Sequence, residues 1–345
     1  MTFSSLERKD VEEALNALRT GGSQQKGAAI LGMSRSAFKN RLNAAGRFPD
    51  LGGVPVSDWS RDHYAERRYE MPRPRFVLEP ALEPRNLDFD VQNVEHVMII
   101  PDRHRDPRYP HRVECDRWIG REGAARRPKY VVDLGDHMTF DSVSRHDKNH
   151  QQRGRYKPTI KADLDHMAES HKAFREGCGD WKPILKKARG NHESRLWAYE
   201  NEQPESVDSH THRYNEILLQ FGWKEHDFGQ IFYIGGCGFV HAPFNGLGKA
   251  MGGKTSSHRA GALLCTSLFH GHSHRFGVYT DSKLDPRGGV TVVECGCALP
   301  YGEYEDYATL SPLGWAWGIL FVKVANGVVL DLEFVSMKTL KDRWG

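Results

Sequence analysis

What most constrains this chain is a recurring join, in which an apolar run of strand length stops at an aspartate, an asparagine or a histidine. Val94 to Ile100 runs into Pro101-Asp102-Arg103-His104, and Tyr130 to Leu134 into Gly135-Asp136. Pro183 to Ala188 runs into Arg189-Gly190-Asn191-His192-Glu193. Ile231 to His241 ends in Phe239-Val240-His241, and Leu268 to His270 continues as Gly271-His272-Ser273-His274. Strand-length runs interleaved with a helical stretch, Thr159 to Arg175, predict an α/β fold. Val290 to Cys295 reads as a further strand. Trp315 to Val324 and Val328 to Val335 flank Ala325-Asn326-Gly327, a hairpin signal. In open α/β sheets ligands collect outside the carboxyl ends of the strands. Five such ends would bring their donors to one rim.

Those donors are imidazoles, carboxylates and one amide. The set suits manganese, iron, zinc or nickel better than calcium or a thiolate-selective metal. A phosphoester is an anion that repels hydroxide. Two cations about 3.5–4 Å apart hold its oxygens, generate hydroxide at neutral pH and stabilise the leaving oxygen. A carboxylate such as Asp136 has the two oxygens needed to bridge such a pair. The chain also carries 18 histidines, an excess of the commonest metal ligand.

The order Asp-x-His, Gly-Asp, Gly-Asn-His-Glu, His, Gly-His-x-His, spread over residues 102 to 274, resembles the calcineurin-like metallophosphoesterases. The Arg-Gly-Asn-His-Glu-Ser-Arg-Leu run and the segment Asp141 to His146 are most similar to the branch encoded by bacteriophages and prophages. The resemblance implies a double β-sandwich flanked by helices and two bound divalent ions, manganese first among the candidates. It implies that Asp102, His104 and His274 hold one metal, that Asn191, His241 and His272 hold the other, and that Asp136 bridges them. His192 would be no ligand but the group that protonates or stabilises the leaving oxygen, a task suited to a pKa near neutrality. His137 and Asp141 depart from a fixed pattern and are left without a role.

Gly248 to Thr255 fits the P-loop pattern G-x-x-x-x-G-K-[ST]. A P-loop follows its strand directly and opens a helix, whereas here Ala242 to Leu247 intervene. The expectation is a glycine-rich loop over the site. Its backbone N–H groups, with Lys249 or Lys254, would meet a substrate phosphate. Arg145, Arg195 and Arg259 are candidates of the same kind, with His146 lining the cleft.

The first 47 residues read differently. Val11, Leu15 and Leu18 make a helical stripe closed by Gly21-Gly22. Ser23 and Ser34 are N-caps for a second and a third helix, the third with the stripe Phe38, Leu42 and Ala45. Ala28-Ala29, Leu31-Gly32-Met33-Ser34, Phe38 and Arg41-Leu42 resemble a Fis-like helix-turn-helix. Residues 23 to 47 hold five basic and no acidic side chains. Arg35, Ser36, Lys39 and Asn40 would reach phosphates or base edges. A lone module of this size binds DNA weakly, so a homodimer is expected if it reads a sequence. Residues 48 to 90 hold six of the 17 prolines and read as an extended linker. The catalytic unit is then 91 to 345.

Net charge is only +3 and points to no partner by itself. The six cysteines are scattered and read as thiols of a reducing compartment. With neither a signal peptide nor an 18-residue apolar run, the expected location is cytoplasmic, without membrane contact. The sequence-level expectation is a metal-dependent phosphodiesterase or nuclease acting on DNA. The alternative is a phosphomonoesterase whose N-terminal helices are a docking module.

Overall fold

The computed structural model describes residues 7–51, 93–145, 157–203, 209–285, 288–305, 308 and 314–345. The chain divides into two units, Met1–Leu87 and Asp88–Gly345.

The first unit holds three helices, α1 (Arg8–Gly21), α2 (Gln24–Ile30) and α3 (Arg35–Asn43). Their ends follow the expected chemistry. Gly22 takes the left-handed conformation that stops α1, and the hydroxyls of Ser23 and Ser34 accept from the backbone N–H groups of Lys26 and Ala37. Val11, Leu15, Ala28, Phe38 and Leu42 form the core. Gly27 lets α2 cross under Phe38, because a Cβ there would lie 2.4 Å from the ring. The third helix ends before Ala45, and Ala44–Arg47 tightens into a 3-10 turn. Phe48 and Leu51 pack on this core, so the expected linker does not begin at 48. Its remainder, 52–90, lies outside the described residues.

The second unit carries two sheets. Its strands are β1 (Glu95–Ile100), β2 (Tyr130–Asp133), β3 (Ile184–Ala188), β4 (Trp223–His226), β5 (Phe232–Ile234), β6 (Cys237–Val240), β7 (Leu268–His270), β8 (Phe276–Asp285), β9 (Gly288–Cys295), β10 (Gly318–Ala325) and β11 (Val328–Ser336). Its helices are α4 (Val113–Arg126), α5 (Ile160–Cys178), α6 (Asn191–Glu202), α7 (His210–Phe221), α8 (Ser256–Leu263) and α9 (Met337–Trp344). One sheet has the order β11-β10-β1-β2-β3-β4, the other β5-β6-β7-β9-β8. β1 to β4 run parallel, as do β6, β7 and β9.

The apolar pattern of β1 explains the layering. Val97 and Ile99 face the second sheet, among Val132, Phe239, Phe269, Val293 and Leu320. Met98 and Ile100 face the helices, among Ile119, Leu164, Phe174 and Leu340. A strand buried on both faces reads as an unbroken apolar run. On the outer face of the second sheet, Val240, Leu268 and Val292 meet Ala260 of α8. Helices thus cover both outer faces of a double β-sandwich, the architecture the resemblance implies.

The run Ile231 to His241 is two strands, not one. Gly235 and Gly236, at φ +54° and +77°, turn it into a tight hairpin between β5 and β6. Asn326-Gly327 turns β10 into β11 as expected. The Gly327 N–H donates to Gly235 O at 2.8 Å, which joins the two turns across the sandwich.

Candidate metal centre

The five strand ends meet. Asp102 and His104 follow β1, Asp136 follows β2, and Asn191 opens α6 directly after β3. His241 follows β6, and His272 and His274 follow β7. Asp102, His104, Asp136, His241 and His274 are all buried.

The donor atoms lie about as far apart as ligands on a common ion. His274 Nε2 is 2.9 Å from His104 Nε2 and 3.0 Å from Asp102 Oδ2. His241 Nε2 is 2.9 Å from Asn191 Oδ1 and 3.3 Å from Asp136 Oδ2. His272 Nδ1 is 2.8 Å from the same Asn191 oxygen. Ligands held at about 2.0–2.2 Å from an ion stand roughly 3–3.5 Å from one another. Asp102, His104 and His274 form one such group, Asp136, His241 and His272 a second, and His104 and Asp136 also group with His192.

Two details show that the donor set fits divalent cations. His241 Nδ1–H donates to Leu134 O at 2.9 Å, which turns its Nε2 lone pair towards Asn191 and Asp136. A carbonyl behind an imidazole is the usual means of orienting a metal-ligating ring. The second detail is electrostatic. Burial lowers the pKa of His104 and His272, and the neighbouring imidazoles lower both further, that of His272 to about 4. His241 goes the other way: burial opposes its proton, but the Asp136 carboxylate lifts it to about 9. Asp136 is held well below the carboxylate range, because His192, His241 and His104 outweigh its burial. The rings are too crowded to be protonated together, and they surround carboxylates that demand positive charge.

The backbone is built for this convergence. His104, Asp136, His272 and His274 all have positive φ, between +43° and +71°. They are four of the seven non-glycine residues with that conformation among the described residues. Such strain persists only where the surroundings enforce it. Arg103 and His104 donate their N–H groups to Asp136 O at 3.0 and 2.9 Å. Gly190 and Gly271 leave room for carboxylates: a Cβ on either would stand 2.1 Å from Asp136 Oδ1 or from Asp102 Oδ1.

His192 stands beside the donor groups. Its N–H donates to Asp136 Oδ1 at 2.9 Å and its Nδ1–H to Thr139 O at 2.8 Å. Its Nε2 lies 3.8 Å from Asp136 Oδ2. Burial, opposed by Asp136, lowers its pKa.

Beneath the centre lies a charged layer that sequence reasoning missed. Arg103 pairs with Asp133 and, at 3.2 Å, with Asp116. Arg105 pairs with Asp116 at 2.7 Å. Lys187 reaches Asp133 and Glu193, both at 3.3 Å. All six side chains are buried. Glu193 accepts N–H bonds from Gly190, Asp136 and His137 at 2.9, 3.0 and 2.7 Å. It therefore fixes the turn that carries the bridging candidate. Burial works against the charge of both Asp133 and Lys187, yet their pairing lowers the first pKa and raises the second. The available signal was charge inside the strands, Asp133 in β2 and Lys187 in β3, since buried charges require partners.

The remaining candidates separate. Arg195 reaches His192. Arg145 pairs with Glu202, the last residue of α6. Asn191 is the first residue of that helix, so its far end is about 16 Å away. His146 lies outside the described residues. Lys254 is exposed at the end of the glycine-rich segment, whose Gly252 lies beside the His272 ring. Phe244 bridges to Ala250 and Asn245 N–H donates to Lys249 O, so a hairpin turn, not a strand, leads into Gly248–Thr255, although α8 follows Thr255 directly. On α3, Arg35, Ser36, Lys39 and Asn40 are exposed. Arg41 is instead paired with Asp10 and Glu13 of α1.

No family model matches the chain, and no curated protein matches it. Among solved structures, a predicted phosphoesterase from Streptococcus pneumoniae TIGR4 aligns over 71% of this chain and 91% of its own, at 9% identity and a TM-score of 0.32. A dimetal phosphatase from Danio rerio aligns over 67% of this chain and 93% of its own, at 11% identity and a TM-score of 0.35. At that level of similarity neither carries weight beside the geometry of the site. No helix among the described residues is long and apolar enough to cross a membrane.

Proposed function

We propose that this chain is a two-metal phosphoester hydrolase, and that its substrate is a phosphodiester of DNA. The observation that carries the hydrolase reading is the convergence of Asp102, His104, Asp136, Asn191, His241, His272 and His274, with His192 at their edge. Asp102, His104 and His274 would hold one divalent ion, and Asn191, His241 and His272 the other, with Asp136 between them. Two such ions, when bound, polarise the phosphoryl oxygens and supply the nucleophile. Manganese is the expected metal.

The protein's own contribution is placement. Glu193 and Lys187 hold the Asp136 turn from below, and Leu134 O fixes the His241 tautomer. Thr139 O holds the His192 ring with Nε2 towards the centre, where it can meet the leaving oxygen. The DNA reading is supported by α3, whose exposed face offers Arg35, Ser36, Lys39 and Asn40 to a phosphate backbone or base edges. By this reading the N-terminal helices deliver the hydrolase to its substrate, as a homodimer if they read a sequence, in the cytoplasm.

The test is hydrolysis of end-labelled single- and double-stranded DNA by purified protein with Mn²⁺, beside a chelated control. Metal-dependent cleavage is expected, and the product ladder gives its polarity. Protein that holds two metals, cleaves neither strand form and hydrolyses phosphomonoesters would replace the nuclease reading with a phosphatase one.

A further inference from the structure

The guanidinium of Arg195 stands beside the centre. Arg195 lies one turn after His192 on α6, on the same helical face. Its Nη2 donates to His192 Nε2 at 3.1 Å and its Nη1 to Thr139 O at 3.2 Å. Thr139 O also accepts from His192 Nδ1. The imidazole is therefore held at both nitrogens, between a carbonyl and a guanidinium.

Two consequences follow from elementary hydrogen bonding. A guanidinium has donors and no acceptor. His192 Nε2 must therefore meet it with its lone pair, and cannot at the same time bond to a leaving oxygen. The stronger partner for a guanidinium is an anionic oxygen, and its planar fork matches phosphate. A phosphoryl group arriving at the centre offers such an oxygen.

We propose that Arg195 is a phosphate-binding residue of this centre, held on His192 Nε2 until a phosphoryl oxygen takes over its Nη2 donor. The exchange turns Arg195 to the substrate and frees Nε2, which must then take up a proton from solvent before it can give one to the leaving oxygen. This rests on the hydrolase reading above, and names the residue by which the site would grip its phosphate.

The test is calorimetric titration of inorganic phosphate into the metal-loaded full-length protein, for wild type, Arg195→Gln and Arg195→Lys, with metal content measured on each. Loss of one charge-assisted contact predicts phosphate binding about 10- to 100-fold weaker in Arg195→Gln. Both metals should be retained, and the lysine variant should recover part of the affinity. Unchanged phosphate affinity in a metal-replete Arg195→Gln protein overturns the proposal. Should that variant lose metal or fail to fold, the zinc-loaded wild type decides, by the ¹⁵N shift of His192 Nε2 with His192→Gln for assignment. Phosphate should move that signal, and a signal that stays put at saturating phosphate overturns the proposal. Neither readout needs turnover. A protein that grips phosphate through Arg195 yet cleaves no ester would count against the hydrolase reading alone.

Discussion

Asp163 offers a sharp test of the electrostatics of this fold. It lies in the first turn of α5, fully buried, and takes a hydrogen bond from the Ser142 hydroxyl. Its Oδ1 has no hydrogen-bond partner among the described residues. Burial lifts its pKa, the Ser142 hydroxyl pulls it back, and Asp106 adds to the rise, leaving it at about 7 against an ordinary 3.8. A carboxyl whose folded pKa is raised favours the protonated folded state. Its penalty is therefore absent below the unfolded value, grows between about 3.8 and 7, and is fully present above 7. A gap of about 3 units at about 1.36 kcal/mol each gives roughly 4 kcal/mol. Asp163→Asn keeps the shape and the Ser142 bond but removes the charge. At pH 8 the variant should be more stable than wild type by up to about 4 kcal/mol, and at pH 4 by close to nothing. Urea titrations in a chelator, followed by tryptophan fluorescence, measure the difference without interference from metal release. Seven of the eight tryptophans lie after residue 88, so the signal reports the two-sheet unit. A variant no more stable than wild type at pH 8, or a gap that does not change with pH, would refute the reasoning.

Four further outcomes are expected. Asp136→Ala should lose metal, whereas His192→Ala should keep it and lose most turnover; metal analysis beside a rate assay separates the two. Gly271→Ala places a Cβ 2.1 Å from Asp102 Oδ1 and should reduce metal content to about one ion per chain, read by elemental analysis. Glu193→Gln removes one of the carboxylates that act on Lys187, leaving Asp133 and Glu225, and should destabilise the fold by roughly 1–3 kcal/mol, read by the same urea titration. Lys39→Ala should weaken DNA binding uniformly across sequences and reduce its salt slope by about 1; an unchanged slope would remove α3 from the proposed interface.

The legible parts of the chain are those where one residue type serves one local purpose. The β1 run Val-Met-Ile-Ile is apolar because both of its faces are covered, and the ligand candidates stand out because they interrupt such runs. Ser23, Ser34 and Thr159 cap helices through their own hydroxyls, which is chemistry confined to three residues. Other features have no short-range signature. β8 is an edge strand with Phe276 and Val278 exposed, so its alternation is weak. The hairpin at Gly235-Gly236 did carry a signal, since Gly-Gly between apolar runs marks a two-residue turn, and it was missed because the flanking strands are only three and four residues long. The pairing of Arg103 with Asp116 and Asp133, and of Arg145 with Glu202, depends on which strand ends and helices meet, and spacing along the chain cannot state that.

The clasp between the Gly235-Gly236 and Asn326-Gly327 turns has a mechanical meaning. It lies at the opposite end of β6 and β10 from the metal centre, and it ties one sheet to the other. Asp102, His104 and Asp136 belong to the first sheet, and His241, His272 and His274 to the second. The sheets are joined again at the ligand end, where His241 Nδ1–H meets Leu134 O and the His272 N–H meets the Asp102 carboxylate. An ion pair held across that seam would add to these links, so that holding metal and holding the two sheets in register support each other. Lengthening either turn should then slacken the grip on metal from the far end of the molecule, without touching a single ligand.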